Sequence, residues 1–202
     1  MIDFISLHTN TIFVQEKHNI MVIDLSSNTR DKIIEAAKQV FAEKGYSGAS
    51  IEEIAERAGV SKGLVFWYFK SKKNLVREIA LNVLPRTLFE KCAEEYSGGE
   101  LVDCVVDKFL EKYGDPNMRR LLLFTFSYQA LDEEIDKEIS RLCSSTISIL
   151  AEKIYGNNSL ENRVKVRSLI GSLICYVLTP HECIPPSKYG GVVKKIFYPS
   201  QE

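Results

Sequence analysis

The sequence predicts an all-α protein, and three observations carry that expectation. Hydrophobic residues make up 45% of the 202-residue chain and charged residues 26%, with only 11 glycines and 6 prolines, a globular composition with few interruptions. From Asn28 onward, apolar residues recur at i, i+3 and i+4, the spacing that lines one face of a helix. Beyond that point no segment alternates apolar and polar residues as a half-buried strand would.

Residues 1–25 stand apart. They hold two strand-like fragments, Thr11–Val14 and Ile20–Ile23, with no similar segment elsewhere, and are expected to form a flexible or loosely docked extension. A start of translation at Met21 is the other possibility. Asn28, with Asp31 three residues later, is an N-cap signature. Ile33, Ala36, Ala37, Val40 and Phe41 then share one face, and Gly45 ends that helix. Ser50 and Glu53 form a capping box for a short helix with the buried stripe Ile51, Ile54, Ala55 and Ala58, stopping at Gly59. Ser61 opens another short helix running to about Phe69, and Ser71 caps the next. Further helices are expected at 72–82, 83–97, 101–113, 117–130, 133–156 and 160–179, which brings the count to about nine. Pro85 sits at a first-turn position that tolerates its missing N–H. Gly98-Gly99, Gly114-Asp115-Pro116 and Gly156-Asn157-Asn158 mark breaks. The tail from Pro180, with Pro185-Pro186, Gly190-Gly191 and Pro199, is expected to be loop with little helix.

The net charge of −1 conceals an asymmetry. Arg57, Lys62, Lys70, Lys72, Lys73 and Arg77 fall within 57–77 without a single anion, whereas 100–140 holds ten anions against five cations. A basic block beside an acidic remainder is expected where one part of a chain touches phosphate. The longest uncharged run, Ser168 to Pro180, is shorter than the roughly 20 apolar residues that span a bilayer, so no membrane partner is expected. The five cysteines, Cys92, Cys104, Cys143, Cys175 and Cys183, are odd in number and form no CxxC. The N-terminus has no apolar core of a secretory signal. Reduced thiols and a cytoplasmic location follow as expectations.

The segment Ile51–Lys70 fits a helix-turn-helix. Ala55 is the small residue that lets two crossing helices approach, and Gly59 accepts the positive φ of the sharp turn. Ile54, Ala58, Val60 and Val65 are spaced to lock the pair from inside. Ser61, Lys62, Gly63, Leu64, Phe66 and Trp67 are left on the outer face of the second helix, the face that would enter a major groove about 12 Å wide. Lys70, Lys72 and Lys73 crowd the start of the helix at Ser71, where free N–H groups attract anions. Ser50, Ser61, Lys62, Gly63, Leu64, Phe66, Trp67, Tyr68, Lys70 and Lys72 are therefore the candidate DNA contacts.

Ala36-Ala37, Phe41, Gly45-Tyr46, Ser50-Ile51, Ile54-Ala55, Ala58–Gly63 and Tyr68–Lys72 together resemble the DNA-binding domain of the TetR family of transcriptional regulators, over about residues 28–76. The resemblance implies an N-terminal three-helix DNA-binding domain at 26–76 and a C-terminal helical domain at 77–202 for effector binding and dimerisation. It implies a homodimer on a palindromic operator, most often a repressor and less often an activator, that responds to a small effector and needs no cofactor. Phe66 stands where family members commonly carry a tyrosine that donates to a phosphate. That role therefore shifts to the Trp67 indole N–H, Tyr68 and Lys72.

In the C-terminal part, aromatic residues are dense between Leu84 and Leu150. Phe89, Phe109, Tyr113, Phe124, Tyr128 and Cys143 are the candidate effector contacts, for an apolar ligand that is acyl-like or aromatic. Arg119 and Arg120 could pair with an anionic effector or lie at a solvated helix start. Two apolar stripes are expected to form a four-helix dimer bundle: Leu142, Thr146 and Leu150 on one helix, and Val166, Leu169, Ile170, Leu173, Ile174 and Val177 on the last. Packing within the monomer is the alternative for the first of them. Ser168, Gly171, Ser172 and Cys175 add a small-residue stripe. Cys175, His181 and Cys183 are too irregularly spaced for a metal site to be expected, and no constellation suited to catalysis emerges. An effector-independent DNA-binding or architectural protein is a second reading. An all-α enzyme that kept a DNA-binding domain is a third.

Overall fold

The computed structural model describes residues 4–6, 11–16, 19–24, 27–179 and 184–198, the first three stretches and residues 27–28 by backbone alone. His8, His18, His181, Cys183 and Pro180 lie outside the described residues. The chain divides into two compact units, Met1–Ile79 and Ala80–Glu202.

In the first unit, β1 (Phe4–Ser6), β2 (Thr11–Glu16) and β3 (Asn19–Asp24) form an antiparallel sheet in that order, with Phe4 opposite Val14 and Phe13 opposite Val22. The two strand-like fragments of the sequence thus find their partner in each other, with Phe4–Ser6 added at the edge. All described elements that follow are helices. α1 (Ser27–Gly48) begins one residue before Asn28 and is interrupted at Gly45, whose φ of 67° and ψ of −173° are not helical. Only glycine adopts that backbone readily, so Gly45 ends the regular helix as its position suggests. Ile33, Ala37, Val40 and Phe41 are fully buried on the inner face. α2 (Ile51–Ala58), α3 (Lys62–Phe69) and the start of α4 (Lys72–Val83) complete this unit. Ile54, Val65, Leu75, Val76 and Ile79 close its core.

The second unit holds the end of α4 and then α5 (Arg86–Glu95), α6 (Gly98–Gly114), α7 (Pro116–Gln129), α8 (Glu133–Tyr155), α9 (Leu160–Leu178) and α10 (Pro186–Phe197). Asp115, Asp132 and Ser159 cap α7, α8 and α9 through side-chain oxygens that accept backbone N–H groups, which satisfies donors a helix start otherwise leaves bare. The central helix α6 buries Leu101, Val102, Val105, Val106, Phe109 and Tyr113. Phe109 lies 6.0 Å from the Phe89 ring and 4.5 Å from the Tyr113 ring, and the Tyr113 hydroxyl donates to the Val83 carbonyl.

Gly98-Gly99 marks the expected break, with α5 ended and Gly98 at φ 55° where α6 begins, whereas Gly190-Gly191, expected in a loop, is helical. At Gly190 a Cβ would stand 3.0 Å from Leu110 Cδ1 and 3.2 Å from Val106 Cγ1, so the Gly190-Gly191 turn lets α10 lie against α6. The tail is therefore a helix from Pro186, with Pro185-Pro186 at its start, where a missing N–H costs nothing. Gly98-Gly99 opens α6 beneath the Tyr198 ring, which a Cβ on Gly99 would meet at 2.8 Å. The Tyr155 hydroxyl donates to the Phe197 carbonyl at 2.8 Å, and Lys194 bonds Asp107 at 2.9 Å. These contacts join segments far apart in sequence.

The expectation of reduced thiols is also corrected. Cys92 on α5 and Cys104 on α6 form a disulfide, their Cα atoms 5.9 Å apart, while Cys143 and Cys175 are free. An odd cysteine count does not reveal which two residues face each other across packed helices. Among the described residues, no helix is long and apolar enough to cross a membrane, and no group of three or more His, Cys, Asp or Glu stands placed to hold a metal.

Candidate functional site

The α2–α3 pair is shaped by its own short-range chemistry. Ser50 Oγ accepts the Glu53 N–H at 3.1 Å, one half of the expected capping box. The Glu53 carboxylate turns instead to Lys44 at 2.8 Å and Arg57 at 3.4 Å. Gly59 takes φ 68° and ψ 34° as the C-cap of α2, its N–H bonding back into the last turn, and the Val60 N–H reaches the Ala55 carbonyl at 2.9 Å. Ser61 then caps α3 by accepting the Leu64 N–H at 3.2 Å. Ile54 and Val65 are buried between the helices, with Ala58 and Val60 half-buried beside them.

The outer face of α3 differs from the expected one at a single position. Lys62, Gly63, Phe66 and Trp67 are exposed, the last two at 39% and 42%. Leu64 is buried, on the same inward side of α3 as Val65, while Gly63 before it is exposed. Tyr68 is half-buried, with Trp67 edge-on to its ring at 4.9 Å. A Cβ on Gly63 would meet only Ser61 Oγ, at 3.9 Å, so packing within the fold does not require glycine there.

Several cations of the basic block are neutralised by anions from outside its window. Arg57 makes a two-pronged bond to Glu43 at 2.8 and 2.9 Å, and the Lys62 ammonium bonds Glu52, which holds that carboxyl below its ordinary value. Lys72 carries the largest departure from expectation. Its ammonium donates to the carbonyls of Tyr46 and Ala49, the latter at 2.6 Å, and rests 4.3 Å from the Tyr46 ring centre. Desolvation pushes the Lys72 pKa down. It therefore braces the α1–α2 connection instead of standing free for a phosphate. Lys70 is exposed and 5.8 Å from the Trp67 ring centre. It is the one non-glycine residue with positive φ among those described, at 62°, where the chain leaves α3 for the cap of α4. Ser71 Oγ accepts the Asn74 N–H at 3.1 Å.

In the second unit, a cleft of about 330 Å³ opens among α5, α7, α8 and α9. Of the expected effector contacts, Phe89 and Cys143 line it. Phe109 and Tyr113 are instead fully buried in the hydrophobic core, and Phe124 stacks on the buried Tyr128 at 6.0 Å, away from the cleft. Arg119 and Arg120 do not line it. Four residues expected at a dimer interface do: Leu142, Thr146, Ile170 and Ile174. Leu150, Val166, Leu169, Leu173 and Val177 are buried within the protomer, so a partner could not reach them. α9 leaves exposed Ser168, Gly171 and Cys175, together with Leu160, Glu161, Arg163, Val164, Lys165 and Arg167.

Phe126, one of the aromatic residues of that stretch, lines the cleft, as do Arg86 and Arg167, which the sequence did not single out. Arg167 did leave a signal. It lies three, four and seven residues before Ile170, Gly171 and Ile174, so it continues their helical face. Burial holds the Cys143 thiol above its ordinary value, against the opposing pull of the Arg167 charge.

A capped two-helix unit turned by a left-handed glycine is the geometry of a helix-turn-helix. Residues 33–79 match the family described as bacterial regulatory proteins, tetR family. Over 119 residues it is 33% identical to the uncharacterized HTH-type transcriptional regulator YvdT of Bacillus subtilis (strain 168), a match covering 55% of this chain and 58% of that protein. The aligned stretches of other curated relatives span 25% and 30% of their lengths. Among solved structures, GusR of Salmonella enterica superposes with a TM-score of 0.68 at 18% identity, covering 87% of this chain and 97% of that one. FadR of Bacillus subtilis in complex with stearoyl-CoA gives 0.57 at 20% identity, covering 86% and 100%. At such identities the likeness shows the fold.

Proposed function

We propose that this chain binds a palindromic DNA operator as a homodimer and represses transcription until a small, largely apolar effector enters the cleft. The observation that carries the DNA part is the outer face of α3. Phe66 and Trp67 are large apolar rings left exposed on a short helix, with Lys62 and Lys70 within 5.8 Å of their centres. Solvent exposure of two adjacent aromatic rings is costly unless a partner covers them. A duplex offers thymine methyl groups to the rings and a phosphate to the Lys70 ammonium. Gly63, which the fold does not need, clears room for that approach.

One α3 helix reads few base pairs, so two copies set on half-sites about 34–36 Å apart supply the specificity. The exposed Ser168, Gly171 and Cys175 stripe on α9 suits close helix approach in such a dimer. The cleft supports an effector-responsive regulator over an effector-independent one. A ligand there acts by its difference in affinity for two states of the dimer, typically ~1–3 kcal/mol of coupling.

Genomic footprinting with the purified chain, followed by gel-shift titration on the protected duplex across a salt series, tests the DNA part. Lys70→Ala is expected to weaken binding on all sequences and to lower the salt slope by about one, and Trp67→Ala to relax base preference. Absence of any protected sequence, or binding insensitive to salt, refutes it.

A further inference from the structure

Resting on the effector reading above, we infer that the cleft takes an apolar anion, with Arg167 as the partner of its acid group. The cleft walls are mostly apolar: Phe89, Phe126, Ile139, Ile170 and Ile174 among them. The charged side chains lining it are Arg86 and Arg167, and no Asp or Glu does so. Arg86 is already compensated, its Nε donating to Glu90 at 2.7 Å. Among the described residues no carboxylate pairs with Arg167. The balance of the lining is thus one positive charge against apolar walls.

A guanidinium without a carboxylate, beside apolar surface, favours a ligand that brings both an apolar body and a planar anion, since carboxylate and guanidinium match in a two-pronged bond. Neutral ligands of the same shape would fill the walls but leave the guanidinium to water. Cationic ones would be repelled. A volume of about 330 Å³ is at the low end for ligand pockets, which suits a medium-chain or aromatic acid rather than a bulky conjugate.

The test uses three probes of one shape: decanoate, decan-1-ol and decylammonium, titrated calorimetrically into the full chain at neutral pH. Decanoate is expected to bind about tenfold more tightly than decanol, and decylammonium more weakly than either; tenfold corresponds to about 1.4 kcal/mol. Arg167→Gln is expected to bring decanoate and decanol within about twofold of each other while leaving decanol affinity unchanged, which a mere loss of folding would not do. Ile170→Trp, which fills the cleft, is expected to abolish binding of both. Equal affinity for decanoate and decanol overturns the anion assignment and leaves the effector cleft standing. Binding of none of the three overturns both. A change of dimerisation in Arg167→Gln, with the preference for decanoate intact, reassigns that residue to the subunit contact and overturns the proposal.

Discussion

The two units use the same kind of helix but are held together over different sequence distances. In the first, the defining contacts are local: Ser50 to Glu53, Gly59 and Val60 back to α2, Ser61 to Leu64. In the second they are remote. Tyr155 reaches Phe197, Lys194 reaches Asp107, and Cys92 bonds Cys104 across two helices. Local hydrogen bonds leave a signature in a short window of sequence. Remote packing leaves only an apolar face, without saying what it meets.

The largest effect that would sharpen this contrast lies in the core of the second unit. Phe109→Ala removes a fully buried ring between Phe89 and Tyr113 and is expected to cost about 3–5 kcal/mol. Urea unfolding followed by circular dichroism reads the whole chain, and the fluorescence of Trp67, the single tryptophan, reads the first unit. The Trp67 transition should move less; equal shifts would break the comparison. Reducing the Cys92–Cys104 bond, which closes a span of 12 residues, should cost about 3 kcal/mol, visible as a lower melting temperature with and without a dithiol.

The brace at Lys72 gives the strongest test in the first unit. Lys72→Met keeps the aliphatic stem but leaves the Tyr46 and Ala49 carbonyls without their donor, at an expected cost of about 1–3 kcal/mol. The salt slope of DNA binding should not change. A slope lowered by about one would show that Lys72 leaves its carbonyls for a phosphate.

Tyr113→Phe should cost about 1 kcal/mol through the lost bond to Val83, and it carries a pH signature. Burial raises the Tyr113 phenol above its ordinary 10.0. The folded chain therefore keeps a proton that the unfolded chain releases above that value. This contribution is complete below pH 10 and is lost as pH rises further. Alkaline unfolding of Tyr113→Phe should be less steep than that of the parent, with Tyr155, also raised by burial, keeping part of the slope. The smallest expected effect is a gain. Lys70→Gly relieves a positive φ that disfavours side chains, raising stability by about 1 kcal/mol while weakening DNA binding.

Legibility followed the same division. The helix-turn-helix, its caps and its turn glycine were readable because each depends on neighbours within a few residues. The inward turn of Leu64 and the capture of Arg57, Lys62 and Lys72 were not. Their partners, Glu43, Glu52 and the Tyr46 and Ala49 carbonyls, come from α1, α2 and the loop between them, outside the charge window. In the second unit, helix positions were readable from apolar spacing, yet the same stripe on α9 served both as core and as cleft wall. Phe109 and Tyr113 look like ligand contacts as readily as core when nothing shows what faces them.

The sequence alone determined the helical body, the placement of its caps, and the face of α3 that carries Lys62, Phe66 and Trp67, because backbone hydrogen bonding and 3.6-residue periodicity are written within each helix. Tertiary structure decided the rest: which aromatic rings are core, that Gly190-Gly191 is a contact and not a loop, that two cysteines meet, and that Arg167 stands unpaired by any carboxylate in an apolar cleft. Those outcomes depend on which helices lie against one another, and close packing between remote segments is a property of the assembled fold rather than of any window along the chain.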